Sequence, residues 1–231
     1  MFDLYIANKN YSSWSLRPWV LMKALEIPFN EHLMPFEGGF GASHDVYTRF
    51  SPSGLVPCLV DRESDLAVWD SLAIVEYLAE QHADVWPSDK TARAWARSAT
   101  AEMHSGFGAL RDDCSMNCGV RVALNSLSSN LKADVNRLDA LWQQGLERFG
   151  GPFLAGEQFS AVDAFYAPVA FRVQTFNLPI SEKSQSYVER LLALPAMQAW
   201  YQAALAETWR EPMHEAETLK NGTLEVDYRT S

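Results

Sequence analysis

Residues 11–17 read Tyr-Ser-Ser-Trp-Ser-Leu-Arg, and residues 53–60 read Ser-Gly-Leu-Val-Pro-Cys-Leu-Val. The first stretch places hydroxyl groups where a predicted strand ends and a helix begins. The second places a proline directly before a strand, and the pair Asp70-Ser71 follows at the start of another helix. Helix N-termini attract anions, because free backbone N–H groups and the helix dipole point at the ligand. These stretches therefore predict a site for a small anionic peptide or thiolate.

The pattern around these stretches predicts a small mixed sheet with helices packed on it. Strands are predicted at residues 3–8, 30–34, 57–60 and 66–69, and helices at residues 15–26, 44–49 and 71–82. Asp70 is expected to cap the last of these helices. Residues 36–53 are otherwise predicted to be irregular. The order βαβ followed by ββα is typical of an α/β domain.

The pattern changes near residue 84, and everything beyond it is predicted to be helical. Apolar side chains recur every three or four residues, first over 95–110 and then over 124–142, which predicts two long helices. Ser160 and Asp163 have the spacing of a capping box before an apolar helix, and Pro195 starts a last amphipathic helix. The tail from Arg210 is polar and weakly patterned, so it is expected to drape or fray.

Composition excludes several classes of function. The net charge of −10 over 231 residues argues against a nucleic-acid-binding protein, which needs a basic face. No run of about 18 apolar residues is present, so we expect no membrane span. The N-terminus lacks the pattern of a signal peptide, and the 3 cysteines are too few for a disulfide framework. We therefore expect a cytoplasmic protein without a metal site.

Taken in order, these motifs resemble the cytosolic glutathione transferases. The resemblance extends from Leu4 to about Leu205 and rests on the serine-rich motif at 12–17, the Val56-Pro57 pair, the Asp70-Ser71 pair and the box at 160–163. The serine-rich motif is most similar to the zeta and theta side of the family or to a bacterial relative. The resemblance implies a thioredoxin-like α/β domain at residues 1–84, a linker at 85–89 and an all-α helical domain at 90–231.

Catalysis in this family depends on the glutathione thiolate, whose formation is favoured by a hydrogen-bond donor near the sulfur. A serine hydroxyl at the start of the first helix can be that donor. The spacing Ser-x-x-x-Arg selects Ser13, whereas a zeta-like Ser-Ser-Cys alignment selects Ser12, and both remain candidates. Alternatively, the serines only cap the helix, although one hydroxyl would suffice for that.

The resemblance assigns the other glutathione contacts. It implies a cis peptide bond before Pro57 and pairing of the Val56 backbone with glutathione, as one strand pairs with another. It places the γ-glutamyl carboxylate on Ser71, and Asp70 near the α-ammonium.

Four further positions belong to the same predicted site. His44 is a candidate for the glycyl carboxylate, and Arg17 is expected to be more structural than ligand-binding. Leu55 stands where relatives often carry lysine, which predicts weaker affinity. Trp14 replaces the cysteine of the zeta motif, which weakens a maleylacetoacetate isomerase assignment.

A second-substrate pocket is expected between the domains. Its candidate lining residues on the first helix of the second half are Met103, His104, Phe107 and Arg111, opposite Trp14. Met103 and Phe107 fit a core stripe equally well.

The sequence therefore predicts a transferase that joins the glutathione thiolate to a small, apolar electrophile. The alternatives are a glutathione-dependent isomerase and a non-catalytic binding or scaffold protein of the same fold. The resemblance also implies a homodimer. Neither a nucleic acid nor a membrane is expected as a partner.

Overall fold

The computed structural model describes residues 1–36 and 43–230. Residues 37–42 of the predicted irregular segment lie outside the described residues. The strands are β1 Phe2–Ile6, β2 Phe29–Leu33, β3 Cys58–Asp61, β4 Leu66–Trp69, β5 Val120–Leu124 and β6 Gly222–Asp227. The α-helices are α1 Ser13–Ala24, α2 His44–Tyr47, α3 Ser71–Ala79, α4 Lys90–Ser105, α5 Gly108–Asp113, α6 Ser129–Phe149, α7 Ala161–Phe176, α8 Glu182–Ala193, α9 Pro195–Ala206 and α10 Pro212–Leu219. A short 3-10 helix covers Ala83–Val85.

Four strands form the sheet of the first half, in the order β2-β1-β3-β4. β1 pairs with β2 in parallel across the α1 crossover, and with β3 in antiparallel register, so that Leu4 lies opposite Leu59. Leu4, Ile6 and Leu59 are fully buried because one face of the sheet is covered by helices. The predicted α/β fold of this half is confirmed.

The first helix begins at the motif that the sequence singles out. The Leu16 N–H donates to the Ser12 carbonyl, so Ser12 is the N-cap and Ser13 is already helical. This start is two residues earlier than predicted. Pro18 is the sixth residue of the helix and lies inside it, so the Trp14 carbonyl one turn earlier receives no backbone N–H from that position. The packing of Leu16 and Val20, both fully buried, fixes the face on which the serines stand.

The second half is built around α7, which packs against α1, α4, α8 and β5. The capping box predicted at its start is present. Asp163 accepts hydrogen bonds from the Ser160 N–H at 3.0 Å, the Leu154 N–H at 3.0 Å and the Tyr187 hydroxyl at 2.9 Å. These three bonds anchor the helix start to a neighbouring loop and to α8. The helical fold of the second half is also confirmed.

Three segments differ from the prediction. The helix predicted over 95–110 ends at Ser105, and a separate short helix, α5, begins at Gly108. Residues 120–124 form a strand rather than the start of the second long helix, which begins at Ser129 after a cap by Ser128. The tail does not fray: it forms α10 and then β6, which pairs antiparallel with β5. The alternation of Val120, Val122 and Leu124 is a strand period that the helical interpretation overlooked.

No helix of the described ranges is both long and apolar enough to cross a membrane. Cys58, Cys114 and Cys118 are buried free thiols. The described residues also contain no cluster of three or more histidine, cysteine or acidic side chains arranged to hold a metal ion.

Removing the Asp163 carboxylate should destabilise the fold strongly. Asp163→Ala leaves three buried donors without their acceptor, and each costs about 1–3 kcal/mol. We expect a loss of about 3 kcal/mol or more in the free energy of unfolding, measured by urea denaturation. Ser160→Ala is the matched control, since it removes the capping contact and the 3.4 Å bond to Asp163 but leaves the three donors to the carboxylate in place. Equal stability of the two variants would contradict this role.

Candidate functional site

A cavity of about 630 Å³ lies where the N-terminus of α1 faces the second half of the chain. Five groups of residues form its walls: the start of α1, Phe36 together with residues of and next to α2, the loop before β3, the start of α3 with the end of β4, and side chains from the second half. The residues are Tyr11, Ser12, Ser13, Trp14, Phe36, Ser43, His44, Tyr47, Ser53, Gly54, Leu55, Val56, Pro57, Trp69, Asp70, Ser71, Arg111, Asp112, Ser115, Met116, Arg172, His214 and Glu217.

The two candidate serines differ in their hydrogen bonds. The Ser12 hydroxyl donates to Ser15 Oγ at 2.7 Å, and Ser15 Oγ also accepts from the Ala7 N–H at 3.3 Å. No side-chain hydrogen bond of Ser13 occurs within the part of the chain that the structure describes, although Ser13 is buried to 6% exposure. Ser12 therefore belongs to a local network, while the Ser13 hydroxyl is available at the cavity.

Tyr11 lies beside the serines but its hydroxyl is already used. It donates to Glu215 Oε1 of α10 at 2.5 Å, and Glu215 also pairs with Arg229. Burial raises the pKa of the Tyr11 phenol, and the Glu215 carboxylate raises it further. The phenol therefore remains protonated and is directed to the C-terminal segment instead of the cavity.

The loop before β3 presents backbone to the cavity. The Val56–Pro57 peptide bond is cis, as the resemblance implied. Gly54 has φ of +66°, and a Cβ there would lie 2.4 Å from the His44 ring, so this position requires glycine. His44 thus lies against the loop at the cavity edge. The Leu55 side chain is 62% exposed and adds apolar surface to the cavity rim.

The start of α3 supplies the second helix N-terminus. Asp70 caps it by accepting from the Leu72 N–H at 2.7 Å, as predicted. Arg17 Nη1 donates to the Ser71 hydroxyl oxygen at 3.2 Å from behind the cavity wall. Because Ser71 accepts this bond, its own hydroxyl hydrogen is free to donate to an anion. Arg17 is thereby a positioning residue for Ser71.

Arg17 is fully buried although its charge has no ion-pair partner in the described ranges. Its guanidinium lies 4.0 Å from the Trp14 ring centroid and 4.7 Å from that of Phe165, a stacking that stabilises a cation. Its Nε and Nη2 atoms make no hydrogen bond. Burial lowers the pKa of Arg17, and the charges of Arg111 and Arg172 lower it further.

The residues expected on the first helix of the second half contribute less to the cavity than predicted, and two of them, Phe107 and Arg111, lie beyond the end of α4 at Ser105. Met103 is fully buried and Phe107 is 6% exposed, and neither borders the cavity, so the structure corrects both to core residues. Their spacing matched the core stripe because they belong to it. Arg111 does border the cavity, with its guanidinium 5.1 Å from the Trp14 ring centroid.

His104 lies behind the cavity wall, 3.7 Å from Asp70 and edge-on to Trp14. Burial lowers the pKa of the ring, while the Asp70 carboxylate opposes that shift and the Arg17 charge adds to it. His104 therefore links α4 to the start of α3 as a neutral ring near pH 7.

Several cavity residues were not predicted from the sequence. They come from the segment after α5, from α7 and from α10: Ser115, Met116, Arg172, His214 and Glu217. One signal was present, namely an arginine within the apolar run 161–176. The others had no local pattern, because a loop and a tail reach the cavity only through the tertiary fold.

Comparison with known proteins agrees with this geometry. Residues 11–81 match the family model of the glutathione S-transferase N-terminal domain, and residues 93–203 match that of the C-terminal domain. Together these ranges cover well over half of the chain. The chain belongs to the glutathione S-transferase family.

Three relatives illustrate the range of similarity. Glutathione S-transferase GstB of Escherichia coli is 28% identical over 206 residues, covering 84% of this chain and 89% of GstB. A probable maleylacetoacetate isomerase of Vibrio cholerae is 28% identical over 172 residues, covering 69% and 76%. A Burkholderia glutathione transferase homologue, solved with bound glutathione, superposes with a TM-score of 0.64 at 22% identity, covering 88% and 97%.

The His104–Asp70 contact predicts a shifted histidine titration. We expect His104 to titrate below the ordinary histidine range, because burial disfavours its charged form. Asp70→Asn should lower that pKa further, since the carboxylate is the group that favours the imidazolium. Proton NMR titration of the ring would measure both. A rise of the His104 pKa in Asp70→Asn would show that the carboxylate does not act on the ring.

Proposed function

We propose that this protein is a glutathione transferase in which the Ser13 hydroxyl stabilises the glutathione thiolate. The observation that carries the proposal is the free Ser13 hydroxyl at the N-terminus of α1, on the same cavity as the Val56 backbone and Ser71. This arrangement matches the needs of a small peptide with a thiol in its middle and carboxylates at its ends.

Each wall of the cavity supplies one part of glutathione recognition. The Val56 backbone would pair with the cysteinyl residue, because an extended peptide binds an exposed edge through its main chain. Ser71 and the free N–H groups at the start of α3 would hold the γ-glutamyl carboxylate, with Asp70 near the α-ammonium. His44 and Leu55 would line the glycyl end.

The chemistry follows from the position of Ser13. The thiol loses its proton to solvent, and the thiolate accepts a hydrogen bond from Ser13 Oγ. That bond and the α1 dipole both favour the anion over the neutral thiol. The thiolate then attacks an electrophilic carbon, and the apolar surfaces of Trp14 and Met116 give the electrophile a place to pack.

A glutathione-dependent isomerisation is the second candidate. The specific observation in its favour is the similarity to the probable maleylacetoacetate isomerase. It would use the same thiolate without leaving a net conjugate. Trp14 stands where the zeta motif has cysteine, so we place conjugation first. Assaying both reactions with one preparation separates the two.

Glutathione titration tests the site directly. Isothermal titration of the wild type should show binding, together with an ultraviolet difference band of the bound thiolate near neutral pH. Ser71→Ala should weaken binding roughly tenfold or more, because a hydrogen bond to a charged group contributes about 1.5–3 kcal/mol. Ser98→Ala on the exposed face of α4 is the matched control. Absence of binding at millimolar glutathione would refute the proposal.

Light scattering on the same sample should give about twice the 26.0 kDa chain mass if the proposed homodimer forms.

Replacing Ser12 and Ser13 by alanine, one at a time, should have different effects on kcat. Ser13→Ala should lower kcat roughly ten- to a hundredfold, with little change in glutathione affinity, because the hydroxyl acts mainly on the thiolate. The thiolate band should weaken in parallel. Ser12→Ala should cost much less, since its hydroxyl donates to Ser15. If Ser12→Ala is inactive while Ser13→Ala is near wild type, the assignment moves by one residue.

A further inference from the structure

Arg172 is a buried cation that borders the cavity without an anionic partner. It lies on α7 and is 4% exposed. Its Nε donates to the Cys114 carbonyl at 2.7 Å, and its Nη1 is buried without a hydrogen-bond partner. None of the ion pairs among residues 1–36 and 43–230 includes it. Buried guanidinium groups ordinarily pair with carboxylates. Arg172 has no such carboxylate among the described residues.

The surroundings of Arg172 add to its positive potential. Arg111 borders the same cavity and is held by the carbonyls of Gly106 and Met103 rather than by a carboxylate. Arg17 lies behind the wall and also has no ion pair within the described part of the chain. Burial lowers the pKa of Arg172 to about 10, and the Arg111 charge acts in the same direction. The guanidinium is therefore still charged at neutral pH.

The acidic groups on the cavity act on this cluster without forming close ion pairs with it. Burial lowers the pKa of Arg172 and that of Arg111. It outweighs Glu217, which raises the first pKa, and Asp112 and Asp134, which raise the second. Asp112 is exposed and Glu217 is half-buried, and both lie beyond 4.0 Å of either arginine head group. Asp70 caps α3 on the opposite wall. Among the described residues, the remaining titratable side chains on the cavity are the phenols of Tyr11 and Tyr47, His44 at its edge, and His214, which is paired with Glu211 of its own segment. An anion in this part of the cavity would therefore meet unpaired cations first.

We propose that Arg172 receives an anionic group, such as a carboxylate, of the electrophile, so that the second substrate has an apolar body and an acidic end. This inference rests on the proposed transferase function and refines it. Within the described residues the guanidinium is bonded only through Nε, so its terminal amino groups remain as donors, and a guanidinium matches a carboxylate better than a lysine does. Trp14 and Met116 flank the same space and suit the apolar body.

A reactive matched pair tests the proposal in turnover. The pair is 4-chloro-3,5-dinitrobenzoate and its methyl ester: in both, the glutathione thiolate forms a C–S bond and chloride leaves with the electron pair of the C–Cl bond. After division by the uncatalysed rates, the wild type should favour the carboxylate in kcat/KM. Arg172→Gln should lower that preference roughly ten- to a hundredfold, as expected for a lost charge-assisted hydrogen bond. Arg172→Lys should retain part of it.

A non-reactive pair tests the same site without catalysis. Binding of 3,5-dinitrobenzoate and its methyl ester, followed by quenching of tryptophan fluorescence, should show the same loss of carboxylate preference in Arg172→Gln. Arg121→Gln is the matched control, because Arg121 also donates to backbone carbonyls but lies off the cavity. Thermal unfolding of each variant verifies that it is folded.

The outcomes separate the two proposals. Two results would overturn the role of Arg172: an equal loss of affinity for the carboxylate and the ester in Arg172→Gln, or unchanged affinity for the carboxylate. Neither result would bear on glutathione binding. A fall in glutathione affinity without a change in dinitrobenzoate binding would also overturn it, since the arginine would then serve glutathione. Failure of the wild type to bind glutathione refutes the transferase function, and the dinitrobenzoate arm still decides whether Arg172 binds anions.

Discussion

The burial of α7 is the constraint on which the rest of this structure depends. Apart from Gln174, every residue of the helix is buried, so its surface must be apolar all round. The few polar groups it carries must then find partners inside the protein. Arg172 donates to the Cys114 carbonyl and Thr175 to the Asn117 carbonyl at 2.8 Å. These bonds hold the segment after α5 against α7, and that segment forms one wall of the cavity.

The other wall is fixed from the opposite end of the chain. The loop before α1 is held by α9: the Trp200 indole donates to the Lys9 carbonyl at 2.9 Å, and the Asn10 amide donates to the Ala204 carbonyl at 2.6 Å. Glu207 accepts from the Lys9 N–H at 2.6 Å. Because all these groups are buried, the loop has little freedom, and the serines that follow it are presented at a defined place. The position of Ser13 is therefore a property of both halves of the fold.

Local signals accounted for what the sequence could predict. The strand and helix order of the first half, the Asp70 cap and the box at 160–163 each depend on residues a few positions apart, and all are present. The β5–β6 pair joins segments about a hundred residues apart, so neither strand had a visible partner in the sequence. Met103 and Phe107 show the same limit, since periodicity alone could not separate a core stripe from a cavity wall.

The cavity wall contains two arginines that are not exposed, although the chain as a whole is acidic. A net charge of −10 describes the protein at long range, where salt screens it within about 10 Å. Inside the cavity only nearby groups matter. There Asp112 is exposed, Glu217 is half-buried, and Asp70 caps α3. Arg172 and Arg111 are instead tied to neutral carbonyls. A carbonyl accepts a hydrogen bond from a guanidinium group without neutralising its charge. Each arginine can therefore still attract an anion in the cavity. The anion recognition proposed for this acidic protein would thus depend on which side chains share the cavity walls, and α7 places Arg172 among them.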